Sequence, residues 1–248
     1  MKNSLAVFFV TILLLGCETD SKLTFKIKEL KNKACDVCPE IAISTPKALG
    51  KLRVVETINK AIDEEIIYNL KFDDSINANS IDKAMLSFTK SFKSFTEEFK
   101  DETLVWEAQT KGEVSFLNPN ITTIILDTYI FTGGAHGYSS KTFLNFDIEK
   151  NIELENYQFF KNIEGFRDFA ETKFRAMYTI PDKNPINTTG FMFSENIFEL
   201  PKNLGFTDKG VQLIYNQYEI ASYADGSITL LIPFKEANQF LKENYQVK

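Results

Sequence analysis

The chain has one histidine, one tryptophan and three cysteines in 248 residues. With His136 as the single histidine, sites built on a histidine pair or cluster are excluded, the H-E-x-x-H zinc arrangement among them. Zinc held by Cys35 and Cys38 would need two further ligands, and there is no second C-x-x-C. No G-x-S-x-G elbow is present, and a Ser-His-Asp or Cys-His centre would have to use His136. No P-loop or dinucleotide fingerprint occurs. Gly133-Gly134 follows a strand-like run but leads into another strand, so it forms no phosphate-binding helix N-terminus. Paired carboxylates of the glycosidase kind stay open with 34 acidic residues, although no pair stands out. No catalytic residue, metal or cofactor is therefore expected. An excess of Lys and Arg is also missing. The formal charge is −6, which argues against nucleic acid and suits either plain solubility or a basic partner.

Long apolar runs are scarce too. The one that stands out, residues 5–15 (LAVFFVTILLL), follows the positive Lys2. It has the length of a signal-peptide core and falls short of the roughly 20 residues that span a bilayer. Leu14-Leu15-Gly16-Cys17 closes it, a small residue directly before a cysteine. That pattern predicts a bacterial lipoprotein: cleavage after Gly16 and acylation of Cys17, where two or more chains anchor firmly and one does not. Leu15 departs from it, since a smaller residue is commoner there; an ordinary secretory signal or an uncleaved anchor would use the same run. Residues 1–16 are then the signal and 17–24 a polar tether. The mature chain faces the periplasm or cell exterior, with its charge moved to −7 by the loss of Lys2.

With Cys17 lipidated, Cys35 and Cys38 remain, in Cys-Asp-Val-Cys. In an oxidising compartment an even remainder suggests a disulfide. Thioredoxin-like redox chemistry would want the first cysteine at a helix N-terminus. Pro39 and a strand-like Glu40–Ser44 follow instead.

Periodicity supplies the elements. Residues 23–30 and 40–44 alternate as half-buried strands, and Pro46 and Gly50 are read as breaks. Leu52, Val55, Ile58, Ile62 and Ile66 predict a helix over about 50–69. Ser80 is a candidate N-cap for a second helix whose stripe runs Ile81, Met85, Phe88, Phe92, Phe95, Phe99. Such a stripe is expected to be core packing against a sheet. From Thr103 the period is two: Leu104, Trp106 and Ala108 share a face, a turn is placed near Lys111-Gly112, and Val114 and Phe116 continue. Residues 121–131 and 141–148 complete an antiparallel meander. A third helix over about 162–178 carries Phe166, Phe169, Ala170, Phe174 and Met177 on one side. A polar loop at 181–189, strands at 211–215 and 227–232, and a short closing helix with Phe234, Ala237 and Leu241 follow. The order predicts an α+β fold: antiparallel sheets, amphipathic helices packed on one face, and two closely joined subdomains, 25–150 and 151–248.

One loop invites a functional reading. Gly133, Gly134 and Gly137 around His136 allow positive φ or close approach of a partner. The loop serves either as a recognition element or as a shaped turn that His136 caps.

The run from Tyr129 to Gly137 (YIFTGGAHG), then Phe143-Leu144-Asn145-Phe146-Asp147, resembles a family of extracytoplasmic domains of unknown function. Residues 206–210 (FTDKG) and 215–221 (YNQYEIA) are similar to its second half, and Ile58-Asn59-Lys60 with Pro46 to its first. The resemblance covers about 35–245. Such domains occur in bacterial lipoproteins, in the ectodomain of the lysozyme-sensing anti-sigma factor RsiV, and beside the catalytic domain of the peptidoglycan deacetylase PdaC. Where the family commonly has Thr-Gly-Lys, this chain has Glu149-Lys150-Asn151. A signal peptide at Met1 leaves no anti-sigma segment ahead of it, and one histidine does not furnish a deacetylase metal site. The resemblance thus implies a lipid-anchored binding module whose partner is a lysozyme-like protein or peptidoglycan. A glycan-acting enzyme and a purely structural envelope lipoprotein are the alternatives.

Overall fold

A computed structural model describes residues 22–32, 38–100 and 104–248. The signal and acylation expectations at residues 1–17, Cys17 included, lie outside the described residues, as does Cys35. Cys38 is described and is not without a partner.

Six strands form the main sheet: β1 (Thr24–Lys31), β2 (Glu40–Leu49), β3 (Glu107–Leu117), β4 (Ile121–Phe131), β5 (Tyr138–Asp147) and β6 (Ile152–Glu153), in that spatial order. Between β2 and β3 run α1 (Val54–Leu70) and α2 (Ile81–Glu98). After β6 come α3 (Ile163–Met177), a second sheet of β7 (Asn203–Thr207), β8 (Gly210–Tyr215) and β9 (Ile228–Pro233), and a single turn, α4 (Phe234–Ala237). The fold is α+β and mainly antiparallel, as the periodicity predicts.

Local chemistry explains the helices. Ser80 caps α2, its hydroxyl accepting from Lys83 N at 3.3 Å, with Asp82 in the positive first turn. Asn162 does the same for α3 through Gly165 N at 2.9 Å. Ile58, Ile62 and Ile66 of α1 and Phe88 and Phe92 of α2 are buried on the sheet, each worth about 1.5–3 kcal/mol of transfer free energy. They meet Ala108, Ile124, Leu126, Leu144 and Phe146, so the α2 stripe is core. It stops being so at its end, where Phe99 is exposed. In α3, Phe166, Ala170 and Phe174 are buried but Met177 is exposed, contrary to its expected place on the inner side. These side chains build a second core with the small sheet, and Phe116 and Ile121 of the main sheet join it. The middle strands β3–β5 thus separate two apolar layers, one on each face.

Four further expectations are corrected. Lys111-Gly112 is no turn: β3 runs straight through, paired with Asp127 and Leu126 of β4. A Cβ on Gly112 would lie 2.7 Å from Leu126 Cδ2 and 2.9 Å from Pro46 Cδ, so the glycine answers a crowded crossing of strands. Pro46 does not break β2, which continues to Leu49 paired with β1. Its pairing with β3 ends at Ser44, leaving Pro46 where β2 is bonded on one side only. That β2–β3 pairing is parallel, with α1 and α2 as its crossover, where a purely antiparallel sheet was expected. Finally, β6 and β7 were absent from the predicted order. Among the described residues, no helix is long and apolar enough to cross a membrane.

Candidate functional site

The loop after β4 is fixed from below. Gly133 and Gly134 have φ of 98° and 87°, a region L side chains rarely adopt. Gly137 is buried against Tyr129, and a Cβ there would fall 2.4 Å from the ring. The chain is thereby turned so that Gly134, Ala135 and His136 stand exposed.

A second segment comes to meet it. After β8 the chain turns through Asn216–Ala221, with Glu219 N donating to Asn216 O at 3.1 Å. Asn216 is buried, and its amide mimics a strand: Oδ1 accepts from Lys141 N at 2.8 Å and Nδ2 donates to Lys141 O at 3.0 Å. Gln217 Oε1 accepts from Ser139 N at 3.0 Å. One strand on, Asn203 Oδ1 accepts from Phe143 N at 3.3 Å, and Leu154 N donates to Asn145 O at 2.7 Å. The outer edge of β5 is therefore occupied at every second residue, mostly by side-chain amides.

This docking delivers two rings to His136. Tyr218 takes φ 69°, an uncommon conformation for an aromatic residue, and its hydroxyl lies 3.5 Å from His136 Nε2. Tyr223 stacks on the imidazole with centroids 3.6 Å apart and planes 16° from parallel. Tyr223 is placed by a short turn in which the Ser222 hydroxyl donates to Asp225 Oδ2 at 2.6 Å. The Tyr218 and Tyr223 rings are 5.9 Å apart. Beside them, burial and then the nearby Glu219 raise the Tyr138 phenol, and burial raises the Glu219 carboxyl. The result is a platform of His136, Tyr218 and Tyr223 with Tyr138 and Glu219 at its margin. Tyr218 is 58% exposed, so the platform is offered to solvent.

Of the sequence-stated loop residues, Gly133, Gly134, His136 and Gly137 all shape this one feature. Tyr218 and Tyr223 were missed as site residues. Tyr218 sat inside a recognised motif whose flanking Asn216 and Gln217 turn out to clamp the edge of β5, while Tyr223 had no signal. Elsewhere, burial raises the Glu153 carboxyl, with Glu155, Glu64 and Glu65 adding to it. Glu65 is already engaged by Thr142 and Asn69. Among the described residues, no group of three or more His, Cys, Asp or Glu side chains is arranged to hold a metal ion.

Residues 130–235 match the model of a protein of unknown function, DUF3298, and residues 32–139 match that of the deacetylase PdaC. The two matches overlap at 130–139, the segment that holds the His136 loop. A DUF3298 protein from Bacteroides fragilis has a similar structure, with a TM-score of 0.69 at 17% identity over 92% of this chain and 96% of its own. Another, from Pseudomonas aeruginosa, gives 0.61 at 19% identity over 90% and 95%. No curated protein matches the chain. Residues 32–139 are thus similar to the one family and 130–235 to the other, and the chain shares the fold of the solved DUF3298 proteins.

Proposed function

We propose that this protein is a non-enzymatic binding module of the bacterial cell envelope. In this reading it is exported, acylated at Cys17 and held at a membrane surface, with Cys35 and Cys38 joined as a local disulfide. The observation that carries the binding role is the His136–Tyr218–Tyr223 platform. Two segments about 80 residues apart in sequence are brought together there, and their rings are left facing solvent. Tyrosines that present large, stiff, amphipathic surface are what binding hot spots are made of. Among the described residues no carboxylate is hydrogen-bonded to the imidazole; the Tyr218 and Tyr223 rings and the Gly137 carbonyl adjoin it, with Nδ1 3.3 Å from that oxygen. The acidic balance of the chain favours a basic partner, a lysozyme-like protein, over an uncharged or acidic one.

The test is quantitative binding of lysozyme to the protein, with soluble peptidoglycan fragments as the second arm. His136→Ala and Tyr218→Ala should each weaken capture about tenfold or more, and raised salt should slow association. Unchanged binding in both variants would remove the platform from the reading. Binding of fragments alone would move the partner from protein to glycan.

A further inference from the structure

At the far end of β3 and β4 from the His136 loop lies an apolar cleft of about 490 Å³. Leu23, Leu52, Leu117, Pro119 and Ile148 line it, and Lys22 forms part of its wall. Leu117 is 46% exposed although it ends a core strand. On an otherwise acidic protein, Lys22 lines the cleft, and Lys51 and Arg53, which flank Leu52 in the chain, are exposed. Glu149, next to Ile148 in the chain, is an exposed carboxylate. Gly50 draws Lys22 in, since a Cβ there would come 2.6 Å from the Lys22 carbonyl oxygen.

We infer that this end of the molecule seats on a lipid surface rich in anionic phospholipid. Five peptide units separate Cys17 from Lys22, and fully extended they reach at most about 18 Å. A lipid on Cys17 therefore keeps Lys22, and with it the cleft, within that distance of the bilayer. At such range, Leu52, Leu117 and Pro119 meet the headgroup boundary and Lys22, Lys51 and Arg53 meet lipid phosphates, the combination that favours interfacial binding. The inference rests on acylation of Cys17, proposed above. It adds an orientation: β4 is eleven residues long, so the His136 platform stands about 33 Å further out.

The experiment uses the full chain, acylated and reconstituted in vesicles of phosphatidylglycerol and phosphatidylethanolamine that carry a nitroxide lipid. A bimane fluorophore is attached at Leu117→Cys, at Lys51→Cys, or at Ala135→Cys beside His136. The chain without added cysteine provides the labelling blank. Quenching should be about threefold or more stronger at Leu117→Cys and Lys51→Cys than at Ala135→Cys, matching burial to the headgroup boundary. The difference should narrow when phosphatidylglycerol is replaced by neutral lipid. Equal quenching at all three positions in protein shown by mass spectrometry to carry acyl chains would overturn the orientation and leave the cleft to a protein partner. Absence of acyl chains would overturn the anchoring itself, and the inference with it.

Discussion

Asp147 shows how much a single side chain can carry. It is 2% exposed at the end of β5, yet remains ionisable because three donors face it. Lys150 N reaches Oδ1 at 2.7 Å, Lys150 Nζ reaches Oδ2 at 2.8 Å, and the Tyr245 hydroxyl donates to Oδ2 at 2.5 Å. Burial pushes the carboxyl up, but the hydrogen bonds from Lys150 and Tyr245 outweigh it and hold it below the ordinary 3.8. The same contacts hold the Lys150 ammonium above its usual value. An acid whose folded value is depressed stabilises the fold above its unfolded value and loses that stabilisation as pH falls through the folded one. The melting temperature of the native chain should accordingly exceed that of Asp147→Asn by a constant margin near neutrality. The margin should close as pH falls below about 3.8, which thermal melts across pH will check. Tyr245→Phe leaves the carboxylate one donor short and should cost about 1–3 kcal/mol, some 2–4 °C per kcal/mol in a chain of this size. The Asp147–Lys150 turn is partly visible in the sequence: the strand reads on to Ile148, one residue past the end of β5, and the polar Glu149-Lys150-Asn151 follows. Tyr245 is not, because its partner lies 98 residues away and nothing local marks the contact.

Among elements, legibility follows length and solvent exposure. Long amphipathic helices announce themselves: α2 was read from cap to stripe, because Ser80 and the four-three spacing of apolar residues are both local properties. The same holds for β4, whose even-numbered Ile124 and Leu126 face the helices as the alternation says. β7 escaped because five residues, Asn-Leu-Gly-Phe-Thr, are too few to show a period, and its middle three are all buried. Its glycine has a tertiary reason. A Cβ on Gly205 would come 2.2 Å from Cδ1 and Cγ of Phe143 and 2.8 Å from its Cβ, atoms near the backbone of a neighbouring strand. The two sheets approach closely there, with Ser115 Oγ donating to Phe206 O at 2.9 Å and Asn145 Nδ2 to Leu204 O at 2.8 Å. Gly205→Ala should therefore cost about 1–3 kcal/mol through overpacking, measured by urea unfolding with an unchanged m-value. Gly112 misled for a related reason: glycine signals a turn when read along the chain, whereas here it relieves a crossing that only the folded sheet creates.

At the scale of the whole molecule, the class was legible and the wiring was not. An α+β composition follows from switching periods. The parallel β2–β3 pair does not, since a strand's sequence says little about which neighbour it takes. The platform was half legible for the same reason: the His136 loop is a local signal, but its meeting with Tyr218 and Tyr223 is a product of the docking of the Asn216–Gln217 segment, after β8, on the edge of β5. That docking also settles how the sheet ends. Removing the amides, as in Asn203→Ala, Asn216→Ala and Gln217→Ala combined, should leave β5 with open backbone groups. The variant should lose about 1–3 kcal/mol at buried Asn216, and its apparent mass in sedimentation should rise with concentration while the native chain's does not.

The opposite rim, β1, carries exposed Lys26 and Lys31, an exposed Glu29 between them, and a half-buried Lys28 paired with Asp63. With amides covering one border and exposed lysines spaced along the other, both borders are blunted against strand addition. When two copies meet edge to edge, the first groups in contact are side-chain amides at one border and lysine ammonium groups at the other, so encounters end in separation more readily than in sheet-to-sheet joining.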